Sequence, residues 1–341
     1  MHRRTTSFGC SRGTLGGPDR RAGGRRARDP PRHRERIGPG VKVVGIGGGH
    51  GLAVTLEAAL GYADDVTAVV TVADDGGSSG RLTRELGIPP PGDIRNCLVA
   101  MAENEDMAEL YQHRFESGEL TGHAAGNLII AALTEMTGDF NAAVAEAGRQ
   151  LGARGRVLPA TTDLVDLMAR IAGGVVRGQV AVAESAAPIQ AVYLEPPNPK
   201  ANQAAVEAIA IADQIVLGPG SLFTSLIATL MVPGIRGAVQ QTSAQRVFVC
   251  NTRRQKGETE DLDAASLIEA VLAHAGPFSV DAALVQHPQL PHDGVPVDDR
   301  ALAHTGVEIV KADVAQPDGG HDPIRLGRVL GRMAEGARGG P

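Results

Sequence analysis

The stretch Val41-Lys42-Val43-Val44-Gly45-Ile46-Gly47-Gly48-Gly49-His50-Gly51-Leu52 decides the fold. Residues 41–46 are short and almost wholly apolar, the pattern of a strand buried on both faces of a parallel sheet. A glycine turn over 47–51 follows, and a helical pattern then runs over 52–60. Residues 66–72 form a second buried strand, so the segment reads as one βαβ unit. The same alternation resumes downstream, with helix 201–212, strand 214–217, loop 218–221, helix 222–230, strand 247–250 and helix 264–273. Late strands are expected over 280–285 and 307–310, and a last helix from Asp322-Pro323. This order predicts an α/β, Rossmann-like, doubly wound and mostly parallel sheet.

Between those units the pattern changes. Pro89-Pro90-Pro91-Gly92 stops the chain, and Asp93 then caps a helix to about Met101. Helices are expected over 127–136 and 140–151, the second capped by Asp139. Val165, Leu167, Ala169 and Ile171 alternate with Asp166, Met168 and Arg170, and Gly173-Gly174 turns the chain into 175–182. That reads as a β-hairpin. With a strand over 189–194 it makes an insertion, around 155–195, in a single domain spanning 41–336.

Residues 1–40 carry eleven arginines against Asp19, Asp29 and Glu35, a charge of +8, which leaves −14 for the rest of a chain of net −6. This Arg/Gly/Pro-rich head lacks apolar periodicity and reads as a disordered extension. The acidic body argues against a nucleic-acid binder, which needs a basic face. No run of 18 apolar residues spans a bilayer, and the head has no apolar segment of a signal peptide, so a soluble intracellular protein is expected. Cys10, Cys97 and Cys250 are scattered, with neither a disulfide framework nor zinc spacing.

In such sheets ligands sit beyond the carboxyl ends of the strands. The polar glycine turns fall there. Gly47, Gly48, Gly49, His50 and Gly51 let backbone amides and a helix dipole approach a phosphate. The turn is not a dinucleotide fingerprint, and with lysines only at 42, 200, 256 and 311 there is no P-loop. Asp74 and Asp75 end the second strand, where a ribose carboxylate or an Mg²⁺ pair belongs. Gly76, Gly77, Ser78, Ser79 and Arg81 follow as an oxyanion cradle. Gly218, Gly220 and Ser221, with Thr224 and Ser225 in the next turn, form another anion-binding helix start. Two such starts on one sheet edge suit a diphosphate. Asp93, Arg95 and Asn96, then His123 and Asn127, stand at further helix entrances, and Asn251 follows a later strand. A nucleophile elbow is absent, so the residues alone lead to a nucleotide or phosphate binder whose catalysis is left open.

Five motifs together resemble one family: Gly-Gly-Gly-His-Gly-Leu (47–52), Ala-Asp-Asp-Gly-Gly-Ser-Ser-Gly-Arg-Leu (73–82), Pro-Gly-Asp-Ile-Arg-Asn-Cys-Leu (91–98), Gly-His-Ala-Ala-Gly-Asn (122–127) and Gly-Pro-Gly-Ser-Leu-Phe-Thr-Ser (218–225). They are similar to the gluconeogenesis factor (YvcK-like) family within the 2-phospho-L-lactate transferase (CofD-like) superfamily. The resemblance implies a Rossmann-like cytoplasmic protein that binds a UDP-sugar, notably UDP-N-acetylglucosamine. It further implies a role in cell shape and peptidoglycan precursor supply on gluconeogenic carbon, with protein partners in cell-wall regulation; a homo-oligomer is left open. The transferase branch implies the alternative, an Mg²⁺-dependent phosphotransferase. Three departures stand out: His50 in place of a common Thr, Ala228-Thr229 in place of Pro-Asn, and a basic Asn251-Thr252-Arg253-Arg254-Gln255. The last bears on sugar or base specificity.

Overall fold

The computed structural model describes residues 40–185 and 187–338; the arginine-rich head before Gly40, with Cys10, lies outside them. Among the described residues ten strands occur in chain order: β1 (Lys42–Gly47), β2 (Asp65–Val70), β3 (Arg156–Pro159), β4 (Asp166–Ile171), β5 (Gly174–Arg177), β6 (Ile189–Glu195), β7 (Gln214–Leu217), β8 (Gln245–Val249), β9 (Ala282–Gln286) and β10 (Glu308–Ala312). Seven make one parallel sheet in the order β10-β9-β8-β7-β1-β2-β3. The chain moves outward from β1 through β2 to β3 on one side, and from β7 to β10 on the other. The direction of winding therefore reverses between β1 and β7, where an open α/β sheet leaves its ligand crevice.

Alternation along the strands divides the core between the two faces of the sheet. Val43, Val66, Ala68, Val70, Val216, Val247 and Leu284 face one side. There they meet helices Gly49–Ala59, Gly92–Ala100, Phe140–Leu151 and Pro323–Arg338 through residues such as Leu56, Ile94, Val144 and Leu330. Val44, Ile46, Val69, Ile215, Leu217 and Phe248 face the other, against helices Gln203–Ala210, Pro233–Gln241 and Ala264–Ala275. Of the two expected caps, Asp139 holds: it accepts from the Asn141 amide at 2.7 Å and begins the helix at Phe140. Asp93 does not cap, because its helix starts one residue earlier, at Gly92 after Pro91, and its carboxylate turns to the Gly49 amide instead. Cys97 and Cys250 are buried free thiols. Among the described residues no single helix is long and apolar enough to cross a membrane.

The insertion is a three-stranded antiparallel sheet, β5-β4-β6, and Leu167, Ala169, Val192 and Leu194 pack it onto the second face. The hairpin turns where expected, but its second strand is shorter than 175–182. It ends at Arg177, because Gly178 takes φ +97° and the Asp75 carboxylate accepts from the Val180 amide at 3.0 Å. Residues Gln179–Ala183 are then helical, with Val182 buried. Residues 156–159, placed in the insertion by the sequence, are instead β3, the edge of the main sheet. The expected helix over 222–230 opens as a π-helix, Leu222–Ile227, and turns α-helical only at Ala228–Leu230. Helices Glu105–Gln112, Pro233–Gln241 and Asp299–His304 carry weak or short apolar patterns that the sequence reading missed.

Leu52 is fully buried, and its Cδ1 fills the space left by Gly45 in β1, where a Cβ would stand 2.9 Å away. Leu52→Ala is expected to cost about 2–5 kcal/mol. Urea denaturation checks this as a lower midpoint with an unchanged slope.

Candidate functional site

Because β1 and β7 are neighbours, the turns that leave them meet. A Cβ on Gly51 would stand 2.2 Å from the Pro219 carbonyl oxygen, so the two turns pack backbone on backbone. Thr55 Oγ1 donates to the Gly218 carbonyl at 2.7 Å, and Thr229 Oγ1 to that of Gly47 at 3.4 Å. Asn251, just past β8, accepts from the Gly220 amide and returns its own amide to the Gly220 carbonyl, both at 2.9 Å. At Gly48 a Cβ would lie 2.3 Å from Asp93 Oδ2, 2.7 Å from Thr71 Cγ2 and 3.2 Å from Ser225 Cβ. Five distant segments thus share one rim, those at the carboxyl ends of β1, β2, β7 and β8 and the start of helix Gly92–Ala100. Gly51 and Gly220 serve this packing, whereas Gly49 is half-buried and His50 is exposed. The Gly49 amide faces the Asp93 carboxylate, and the helix Gly49–Ala59 is open to solvent at His50, the side an anion would approach.

The second strand's turn splits its two acids. Asp74 accepts from the Gly76 amide at 2.9 Å and from Ser79, and its Oδ2 lies 3.1 Å from the position of a Cβ on Gly92. That turns Asp74 towards Asp93. Asp75 points the other way, onto Gly178 and Val180 of the insertion. As adjacent residues they do not form one cation pair, and the described residues contain no group of three His, Cys, Asp or Glu side chains able to hold a metal. Gly77 is exposed at the start of helix Gly77–Leu86, so its amides also open on the rim. Ser78 Oγ accepts from Asn127 Nδ2 at 3.1 Å and lies 3.0 Å from His123 Nδ1. Arg81 donates to the Thr121 carbonyl at 2.9 Å. His123, Asn127 and Arg81 thus brace the cradle from beneath. Burial and the nearby Arg81 hold the His123 imidazole below its ordinary pKa.

Electrostatics single out the centre. Burial, and then the Asp74 charge, push the Asp93 carboxyl up to about 7, against the Gly49 amide and Arg95, which favour its ionised form. Burial raises Asp74 too, opposed by the Gly76 amide and Ser79. Arg95 is only 5% exposed; burial and then Arg114 lower its pKa, against the attraction of Asp93 and Asp74. Its Nη2 reaches Asn96 Oδ1 at 2.7 Å, but Nε and Nη1 have no partner. Asp93 Oδ2 and Asn127 Oδ1 are likewise buried and unpaired. Each such atom carries a desolvation cost of about 1–3 kcal/mol, and such clustering marks a binding site.

The second helix start differs from expectation. The Phe223 and Thr224 amides donate to Glu258 Oε2 at 3.1 and 3.4 Å, and the Thr224 hydroxyl to Oε1 at 2.7 Å. A protein carboxylate already takes the donors assigned to a phosphate there. Half-buried Gly220 and Ser221 still border the rim. The basic departure after Asn251 turns away: Arg253 pairs with Asp293 at 3.1 Å, and Arg254 donates to the His292 and Glu260 carbonyls. Thr55, Thr71 and Glu258 escaped the sequence reading, and Thr229 was noted only as a departure, since each lies far along the chain from its partner and belongs to no glycine motif.

The family model described as 2-phospho-L-lactate transferase CofD matches residues 43–316. The gluconeogenesis factor of Bacillus subtilis is 45% identical over 260 residues, covering 75% of this chain and 82% of that protein. The gluconeogenesis factor of Halalkalibacterium halodurans is 44% identical over 264 residues, 76% of this chain and 80% of the relative. A crystal structure of a UPF0052 family member from Bacillus halodurans superposes with a TM-score of 0.82 at 38% identity, covering 85% of this chain and 98% of that one. With the glycine turns of that resemblance gathered on one rim, the chain belongs to the gluconeogenesis factor branch of the CofD family.

Proposed function

We propose that the chain is a cytoplasmic regulatory protein that binds a UDP-sugar, UDP-N-acetylglucosamine first, and supports cell shape and peptidoglycan precursor supply on gluconeogenic carbon. One observation carries the reading: buried, unpaired Asp93 Oδ2, Arg95 Nε and Nη1, and Asn127 Oδ1 gather beside the two open helix starts at Gly49 and Gly77. Those starts supply amides for a diphosphate, and the guanidinium supplies charge-assisted donors. The name gluconeogenesis factor, carried by the relatives, supports the gluconeogenic part of this reading. Isothermal titration tests it: UDP-N-acetylglucosamine is expected to bind without Mg²⁺, and GTP to bind far more weakly. Metal-dependent GTP binding without affinity for the UDP-sugar overturns the reading.

That outcome supports the second one, an Mg²⁺-dependent phosphotransferase. It is favoured by the mutual repulsion of Asp74 and Asp93 and by the unpaired Asp93 oxygen, which a divalent cation relieves. These two side chains, rather than the adjacent Asp74 and Asp75, fit such an ion, which when bound neutralises charge on a phosphoryl group. The chain's own part is then to aim the helix starts at His50 and Gly77, with Arg95, at the phosphates.

Two variants read the site directly. Arg95→Met leaves the buried Asp93 and Asp74 carboxylates without their countercharge, so it is expected to fold but to melt below wild type. At a temperature where it is fully folded it also loses about 10- to 100-fold in UDP-sugar affinity, the worth of a hydrogen bond to a charged group; thermal melts and titration check both halves. Asp93 is raised in the folded state, so the native protein holds a proton that the unfolded chain releases above pH ~4. Stability from this group is complete below pH ~4 and falls as pH rises towards 7. Relative to Asp93→Asn, the wild type is expected to lose on the order of 2–3 kcal/mol between pH 5 and 8, measured by urea unfolding at each pH.

A further inference from the structure

A cavity of about 880 Å³ adjoins the rim, walled by residues 183–185 and 187–190 of the insertion, residues 256–262 and helix Ala264–Ala275. This volume is in the range of small-molecule sites, roughly 300–1,000 Å³. Its floor includes Phe223, whose ring His274 meets edge-on at 6.0 Å. His274 is itself fixed, Nδ1 bonded to the Ala270 carbonyl at 2.8 Å and Nε2 to the Val192 amide at 3.3 Å. The platform is therefore preorganised. Ile189, Leu262 and Ala270 extend the apolar lining. The polar lining carries five carboxylates, Glu184, Glu258, Glu260, Asp261 and Glu269, against the single Lys256.

The cavity and the rim share one short segment. Phe223 lines the cavity, and Ser225, two residues on, touches Gly48. Glu258 lines the cavity while holding the amides of Phe223 and Thr224. A ligand whose phosphates lie at Gly49 has its other end within reach of this space. The charge then selects which end enters. Carboxylates repel phosphate and accept hydrogen bonds from hydroxyls, and an apolar floor receives a face of C–H groups.

We infer that this cavity receives the neutral, hydroxyl-rich glycosyl end of the ligand, resting on the UDP-sugar reading for the phosphate end. Glu260, Asp261 and Glu269 accept from sugar hydroxyls, and Phe223 with Ile189 packs against the ring. Affinity for the glycosyl group thus resides in the insertion and the 256–275 segment, together with Phe223 of the 218–225 motif.

The test fills the cavity from exposed Ala273 on its lip. Ala273→Trp is expected to weaken UDP-N-acetylglucosamine about tenfold or more, two or three lost hydrogen bonds, while UDP changes less than about twofold. Methyl N-acetylglucosaminide alone is expected to shift the methyl resonances of Ala270 and Ile189 in wild type but not in the variant. Circular dichroism melts confirm that the variant folds. Unchanged UDP-sugar affinity, equal loss for UDP, or unmoved methyl resonances each overturn the inference, as does a shift with spermidine but not with the glycoside. If the glycoside moves those methyls while wild type binds no UDP, the diphosphate reading fails and the cavity assignment stands.

Discussion

The contact on which the molecule turns is made by backbone alone. Where β1 and β7 lie side by side, the Gly51 Cα faces the Pro219 carbonyl with no room for a methyl group. Parallel pairing of β1 with β7 sets the two strands in register, but only glycine lets the turns beyond them close. With that closure made, Asp93 lies over Gly48, Asn251 clasps Gly220, and Thr55 holds Gly218. The rim follows from sheet order, and the sheet order from two buried apolar strands that need helices on both faces.

That closure explains the price in unpaired polar atoms at the centre. Asp93 and Arg95 enter on helix Gly92–Ala100, whose apolar face, Ile94 and Leu98, is locked into the core. The helix cannot withdraw its polar first turn to solvent without breaking that packing. Net charge is nearly balanced among Asp74, Asp93 and Arg95, yet hydrogen bonding is incomplete. Such an arrangement is rigid, costly and ready for an incoming polar group.

Much of this was legible in the residues, for identifiable reasons. Fully buried strands such as 41–46 and 214–217 announce themselves by unbroken apolar runs, and glycine turns at their ends locate the rim. The cap at Asp139 was also readable, whereas Asp93 falls inside the first turn of a helix that begins at Gly92. What escaped was decided at long range. Nothing near 175–182 shows that Asp75, a hundred residues earlier, ends the strand by bonding the Val180 amide. Ser221 to Ser225 reads as an open phosphate site until Glu258 is found on its amides. Asp74 and Asp75 read as a pair, because adjacency in sequence does not reveal that their side chains diverge. The cavity was not readable, because only Phe223 of its lining belongs to a motif and the rest comes from segments far apart in the chain.

The two margins of the main sheet are unalike in chemistry but equal in effect. β3 ends in Pro159, which has no amide hydrogen to offer an approaching strand, and begins with exposed Arg156. β10 presents Glu308 and Lys311 to solvent along its short length. A foreign strand adding to either margin would have to bury a charge or leave a carbonyl unanswered. This architecture, with a wide and otherwise complementary sheet, therefore carries its own protection against edge-to-edge aggregation at high concentration.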